Sequence, residues 1–113
     1  MSKILIAGMI MFSVCILLIL GSNYQSVIAH ENAHKQIMEY DGCNNVTIET
    51  YFNFNSVGGY AECQDPNYVQ SSEAFIVNGN NEVLGYQMSI FIQTFYLGIF
   101  ALIYMIMVLY WRD

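Results

Sequence analysis

The sequence predicts an α+β membrane protein. Two transmembrane helices flank a small extracytoplasmic domain built from a His-Glu-x-x-His helix and a β-hairpin. Three observations lead there. Two uncharged, mostly apolar runs, Ile4 to Leu20 and Met88 to Trp111, are each close to the roughly 20 helical residues that a bilayer core requires. The 113-residue chain has room for one domain, and the segment between the runs is polar. Both of its 2 histidines fall in that segment, as His30-Glu31-Asn32-Ala33-His34.

The first run follows Lys3 and reads as an uncleaved signal anchor over residues 1–21. It is longer than the apolar part of a secretory signal, and Gly21-Ser22-Asn23 makes a poor cleavage site. Phe12-Ser13-Val14-Cys15 does not match a lipoprotein box, so Cys15 reads as a small packing residue. The three basic residues are Lys3, Lys35 and Arg112. One stands just outside each apolar run, which by the positive-inside rule puts both chain ends in the cytoplasm and the middle outside a cell membrane.

Residues 22–86 then form the expected extracytoplasmic domain. Gly21-Ser22-Asn23 reads as a polar break, with Ser22 or Asn23 capping a new helix from Tyr24 to Tyr40. On a helical wheel Tyr24, Val27, Ile37 and Met38 share a face with His30, Glu31 and His34, while Asn32, Lys35 and Gln36 point away. The histidines therefore belong to the packed side. Asp41-Gly42 ends the helix, with Gly42 suited to the left-handed cap position.

Residues 46–54 are β-branched and aromatic and read as a strand. Residues 55–59, with Gly58 and Gly59, read as a turn, and Tyr60 to Cys63 as the returning strand. Cys43 and Cys63 bracket this hairpin, and outside the cytosol they are expected to form a disulfide rather than two free thiols. Ser71-Ser72-Glu73 caps a short helix to Val77, which Asn78-Gly79-Asn80-Asn81 interrupts. Glu82 opens a second long helix, capped by Asn80 or Asn81, whose residues 87–111 span the bilayer and leave a cytoplasmic tail at 112–113. Gln93 and Thr94 are polar positions within that span, to which the sequence assigns no chemistry. Tyr110-Trp111-Arg112 reads as an interfacial anchor.

The histidine pair carries the chemistry. Residues four apart lie on one helix face, so His30 and His34 can reach one ion, and Glu31 is placed to hold a water beside it. Catalytic zinc takes three protein ligands and keeps a fourth position open. A third histidine in the H-x-x-G-x-x-H continuation is excluded, because Ile37 and Tyr40 stand where that pattern needs its glycine and histidine. The third ligand is then a carboxylate, from among Glu49, Glu62, Asp65, Glu73 and Glu82.

Here the chain resembles the gluzincin zinc metallopeptidases, over His30 to His34 and over Asn81-Glu82. The resemblance implies that a glutamate from a later helix, Glu82, completes a Zn2+ site of His30, His34 and Glu82. It implies metal-assisted peptide hydrolysis with Glu31 as general base, and a strand edge at residues 46–54 or 60–63 for pairing with substrate. Tyr86, one turn after Glu82, is the expected oxyanion donor, with Tyr60 and Tyr68 as rivals.

The expected partners are the lipid bilayer and a peptide or membrane-proximal protein substrate. With 3 basic against 9 acidic residues, nucleic acid is excluded as a partner. The competing reading is a non-enzymatic small membrane protein, an assembly subunit or viral envelope component, with a structural metal or none.

Overall fold

The computed structural model describes residues 2–53 and 56–111. The chain runs α1 (Lys3–Tyr40), β1 (Val46–Asn53), β2 (Ser56–Cys63) and α2 (Ser72–Tyr110), a helix-strand-strand-helix α+β fold. Arg112, the expected tail at 112–113, and positions 54 and 55 of the expected strand and turn lie outside the described residues.

Two expected breaks do not occur. α1 is one helix of 38 residues and continues through Gly21-Ser22-Asn23. α2 is one helix of 39 residues and continues through Asn78-Gly79-Asn80-Asn81. Polar residues break a helix when their side chains compete for its backbone. Here several of them find partners across the fold instead. Ser22 donates to the Tyr96 hydroxyl at 3.0 Å. Asn81 donates to the backbone oxygen of His30 at 3.3 Å.

The helix ends follow local chemistry. Ser2 and Ser71 cap α1 and α2, each accepting from the backbone N–H three residues on. At the far end of α1, Gly42 takes φ +108°. That left-handed residue lets Cys43 N–H reach Met38 O and Gly42 N–H reach Glu39 O, the paired bonds of a Schellman cap. Gly42 fills the expected role.

The helices pack antiparallel, and the contacts along them fix their register. The Tyr104 ring lies where a side chain on Gly8 would stand. Phe12 and Phe100 meet with ring centroids 5.6 Å apart, and Cys15 Sγ donates to Tyr96 O. Both helices are long and apolar enough to cross a membrane. The apolar side chains that do not face the partner helix are open: Leu17 is 67% exposed and Ile90 65%.

The strands pair as one antiparallel hairpin, Val46 opposite Cys63 and Asn53 opposite Ser56. A Cys43–Cys63 disulfide closes its base. β2 begins four residues before the expected Tyr60, so Gly58 and Gly59 are strand residues, not turn residues. Their lack of side chains has a use in the sheet. Gly58 lies under the Tyr51 ring, and the backbone at Gly59 comes down onto Glu31. The hairpin leans on α1 through Tyr24, whose ring meets Phe52 edge-on at 5.3 Å and whose hydroxyl pairs with Thr50 Oγ1 at 3.3 Å.

One carboxylate ties the top together. Asp41 accepts from the Ser71 hydroxyl, from Ser71 N–H at 2.9 Å and from the Tyr68 hydroxyl at 2.8 Å. Those bonds, the Ser71 hydroxyl first, hold its carboxyl below the usual carboxylate range. The Tyr68 phenol is pushed up to about 12 by burial and by the Asp41 charge it donates to, so it stays a donor at neutral pH.

Candidate metal centre

Among the described residues the most buried charged or polar side chains are Glu31, 5% exposed, and His34, 8%. A polar group is tolerated inside only when partnered. Their burial follows from the fold: α2 crosses the His30/His34 face of α1, and β2 covers Glu31.

Three side chains converge there. His34 Nε2 lies 2.8 Å from Glu82 Oε1 and 3.1 Å from His30 Nε2, and His30 Nε2 is 3.4 Å from the same carboxylate oxygen. Ligand atoms about 2.0–2.1 Å from a tetrahedral ion stand about 3.3 Å apart, so the three are spaced to hold one metal ion. Of the five carboxylates open on the sequence, Glu82 alone joins the histidines. Glu49 accepts from Tyr60 at 2.6 Å, Glu62 from Gln64 and Asp65 from Asn44. Glu73 lines a separate groove with Asp41 and Ser71.

The hydrogen bonds around the cluster say what it needs. Asn78 Oδ1 lies 2.7 Å from His34 Nδ1. A carbonyl oxygen only accepts, so the Asn78 contact directs a proton to Nδ1 and leaves Nε2 as the ring nitrogen turned to Glu82. Nε2 stands 2.8 Å from a carboxylate oxygen, a contact that either a proton on the ring or a shared cation satisfies. Donation from the remote ring nitrogen to an oxygen is also how metal-bound histidines are commonly oriented.

The neighbours of the cluster leave little slack. A β-carbon on Gly85 would stand 2.8 Å from His30 Nδ1, so the glycine lets the imidazole lie flat against α2. The two histidine rings meet nearly edge-on, 4.6 Å apart.

A cleft of about 420 Å³ opens beside the cluster, bounded by α1, α2 and β2, and His30, Glu31, Glu82 and Tyr86 all line it. Of the three candidate oxyanion donors Tyr86 alone lies there. Tyr60 donates to Glu49, which raises its pKa, and Tyr68 donates to Asp41.

Sequence reasoning missed Asn78, Gly59 and Gly85. Asn78 is a full turn before Glu82 on the same helix face, a spacing visible once the helix is known to be continuous. The two glycines act through distant elements and leave no local signal. No family model matches the chain, and no curated protein or solved structure is similar to it.

Proposed function

We propose that this chain is a membrane-anchored, gluzincin-like zinc metallopeptidase with its site near the outer membrane surface. The observation that carries the reading is a coincidence of place. Three ligand atoms from α1 and α2 converge within reach of one ion, and the intervening Glu31 lines the cleft next to them. A metal site of purely structural use has no need of that glutamate.

His30, His34 and Glu82 would hold the metal. Zinc, when bound, supplies a Lewis acid for the scissile carbonyl and brings the pKa of a bound water to about 7. Glu31 accepts the proton of the attacking water and delivers it to the leaving amine. Tyr86 donates its hydroxyl to the oxygen that gains charge. Asn78 keeps His34 in the tautomer whose lone pair faces the ion.

The membrane reading rests on apolar side chains that point outward along both long helices. A core helix of a soluble protein buries most of its residues, whereas the apolar windows here are 11% buried in α1 and 0% in α2. Lys3 and Arg112 beside the two runs favour cytoplasmic ends. The Cys43–Cys63 disulfide suits an extracytoplasmic middle.

The test is Glu31→Gln in the full chain, reconstituted in nanodiscs and supplied with zinc and a fluorogenic peptide library. Zinc stoichiometry is expected to hold while hydrolysis falls by roughly 100-fold or more. Unchanged cleavage, or loss of the metal, sinks the enzyme reading in favour of a structural site.

A further inference from the structure

The hairpin hangs down beside α1, toward the apolar stretches. Its base is fastened at Cys43, just past the end of α1, and β1 then runs back along the helix until Phe52 meets Tyr24. Both helices tell where that meeting falls relative to a bilayer. A hydrocarbon core about 30 Å thick takes about 20 residues at about 1.5 Å each. Counted from Ile4, the first residue after Lys3, it ends at Tyr24. On α2 the apolar run starts at Met88. The antiparallel register that joins Phe12 to Phe100 and His30 to Glu82 brings Met88 level with Tyr24. The tip of the hairpin thus reaches the outer boundary of the apolar belt.

The tip is also the part of the hairpin that the protein leaves bare. Val46, Ile48, Thr50 and Phe52 share the α1 side of the pleat. Val46 is 8% exposed, Ile48 and Thr50 are partly covered, and Phe52 is 52% exposed. Cover fails at the largest apolar side chain of the row. Tyr51, on the other face, lies over Gly58 and is half-exposed as well. Charge stops short of the tip, since residues 50–61 carry none and Glu49 and Glu62 bound them. In a chain with 9 acidic residues, a charge-free aromatic tip at this level has the composition of an interfacial anchor.

We propose that the hairpin tip is a third membrane contact, with Phe52 and Tyr51 seated in the outer lipid interface beside Tyr24. Docking of this kind requires the membrane topology proposed above, and neither the metal nor hydrolysis. It gives the hairpin a support at its tip to match the disulfide at its base. β2 returns from that tip and lays Gly59 over Glu31, so lipid that holds the tip also steadies the cover of the cleft.

The experiment reads depth with tryptophan, in the full chain in nanodiscs. Trp111, the one native tryptophan, is removed by Trp111→Phe. Single reporters are then introduced by Phe52→Trp, by Leu17→Trp within α1 and by Val69→Trp ahead of α2. Leu17 and Val69 are both open side chains. Phosphatidylcholine brominated on its acyl chains quenches an indole that touches it, whereas acrylamide quenches an indole in water. Quenching of Phe52→Trp by the brominated lipid is expected to exceed that of Val69→Trp roughly threefold or more, since α2 begins roughly 24 Å above Met88 at about 1.5 Å per residue. Acrylamide is expected to rank the two in the opposite order, and Tyr51→Trp to behave as Phe52→Trp does.

Indifference of Phe52→Trp to brominated lipid would overturn the proposal. That holds whether acrylamide then reaches the indole, as for a tip in water, or does not, as for a tip covered by protein. Leu17→Trp tells this failure from failure of the topology. If it is quenched by the lipid while Phe52→Trp is not, the helices span and the tip does not dock. If neither is quenched, the membrane reading falls together with the docked tip.

Discussion

His34 Nδ1 and Asn78 Oδ1 lie 2.7 Å apart, and this bond between α1 and α2 decides which ring nitrogen faces Glu82. Removing the carbonyl with Asn78→Ala frees the ring to turn and to change tautomer. Zinc affinity, measured by competition with a chromophoric chelator, is expected to fall by roughly 10–100-fold. Asn78→Asp, which keeps an acceptor in place, is expected to retain most of it.

The two acids of α2 make a contrast. Glu82 touches both imidazoles, whereas Glu73 stands in the first turn, one residue after the start of the helix. Glu82→Ala is expected to lower zinc affinity by roughly 100-fold or more, beyond what loss of an orienting partner costs. Glu73→Ala is expected to leave it unaltered. The reverse order in the same titration would remove Glu82 from the ligand set.

On the proposed function, two glycine substitutions would separate metal binding from base chemistry. On Gly85 a β-carbon meets His30 Nδ1 at 2.8 Å, and on Gly59 it meets Glu31 Cγ at 3.0 Å and Glu49 O at 2.8 Å. Gly85→Ala is expected to show first as weakened zinc binding. Gly59→Ala is expected to displace the base, lowering hydrolysis by roughly 100-fold while zinc still binds. Equal losses of metal in both variants would mean that Glu31 and the cluster are not separately held.

Acid should loosen the Asp41 latch. Its folded carboxyl has a lowered pKa because Ser71 and Tyr68 donate to it. Such a group adds stability above the unfolded value of about 3.9 and loses that contribution as pH falls through the lower folded value. Asp41→Asn is expected to lower the unfolding temperature at pH near 6. The gap between the two proteins should then close as the pH approaches about 2. A gap that persists undiminished in acid would show that the carboxylate charge is not what holds the latch.

The site was more legible in the sequence than the path of the chain through it. His30, Glu31 and His34 stand out by residue type and spacing, whereas Glu82 is one of five carboxylates and is singled out only by the family resemblance; the fold brings the ligand atoms of His30, His34 and Glu82 together. The β-hairpin and its disulfide also follow from pattern and cysteine placement. Continuity of the helices did not follow. Ser22, Asn78 and Asn81 carry the local signature of caps and breaks, yet each spends its hydrogen bonds on the opposite helix. Those partners are more than 40 residues away in the chain and invisible to any local rule. Gly58 and Gly59 misled in the same way, since the reason for their smallness is Tyr51 in one case and Glu31 in the other.

The unbroken course of α1 and α2 has a mechanical meaning. With no joint between the apolar stretches and the ligands, each helix is a stiff lever about 57–59 Å long. On the proposed topology, a change in bilayer thickness that alters helix tilt would swing His30 and His34 on one arm relative to Glu82 on the other. The grip on the ion, and with it the turnover rate, would then be set partly by the lipid in which the protein stands.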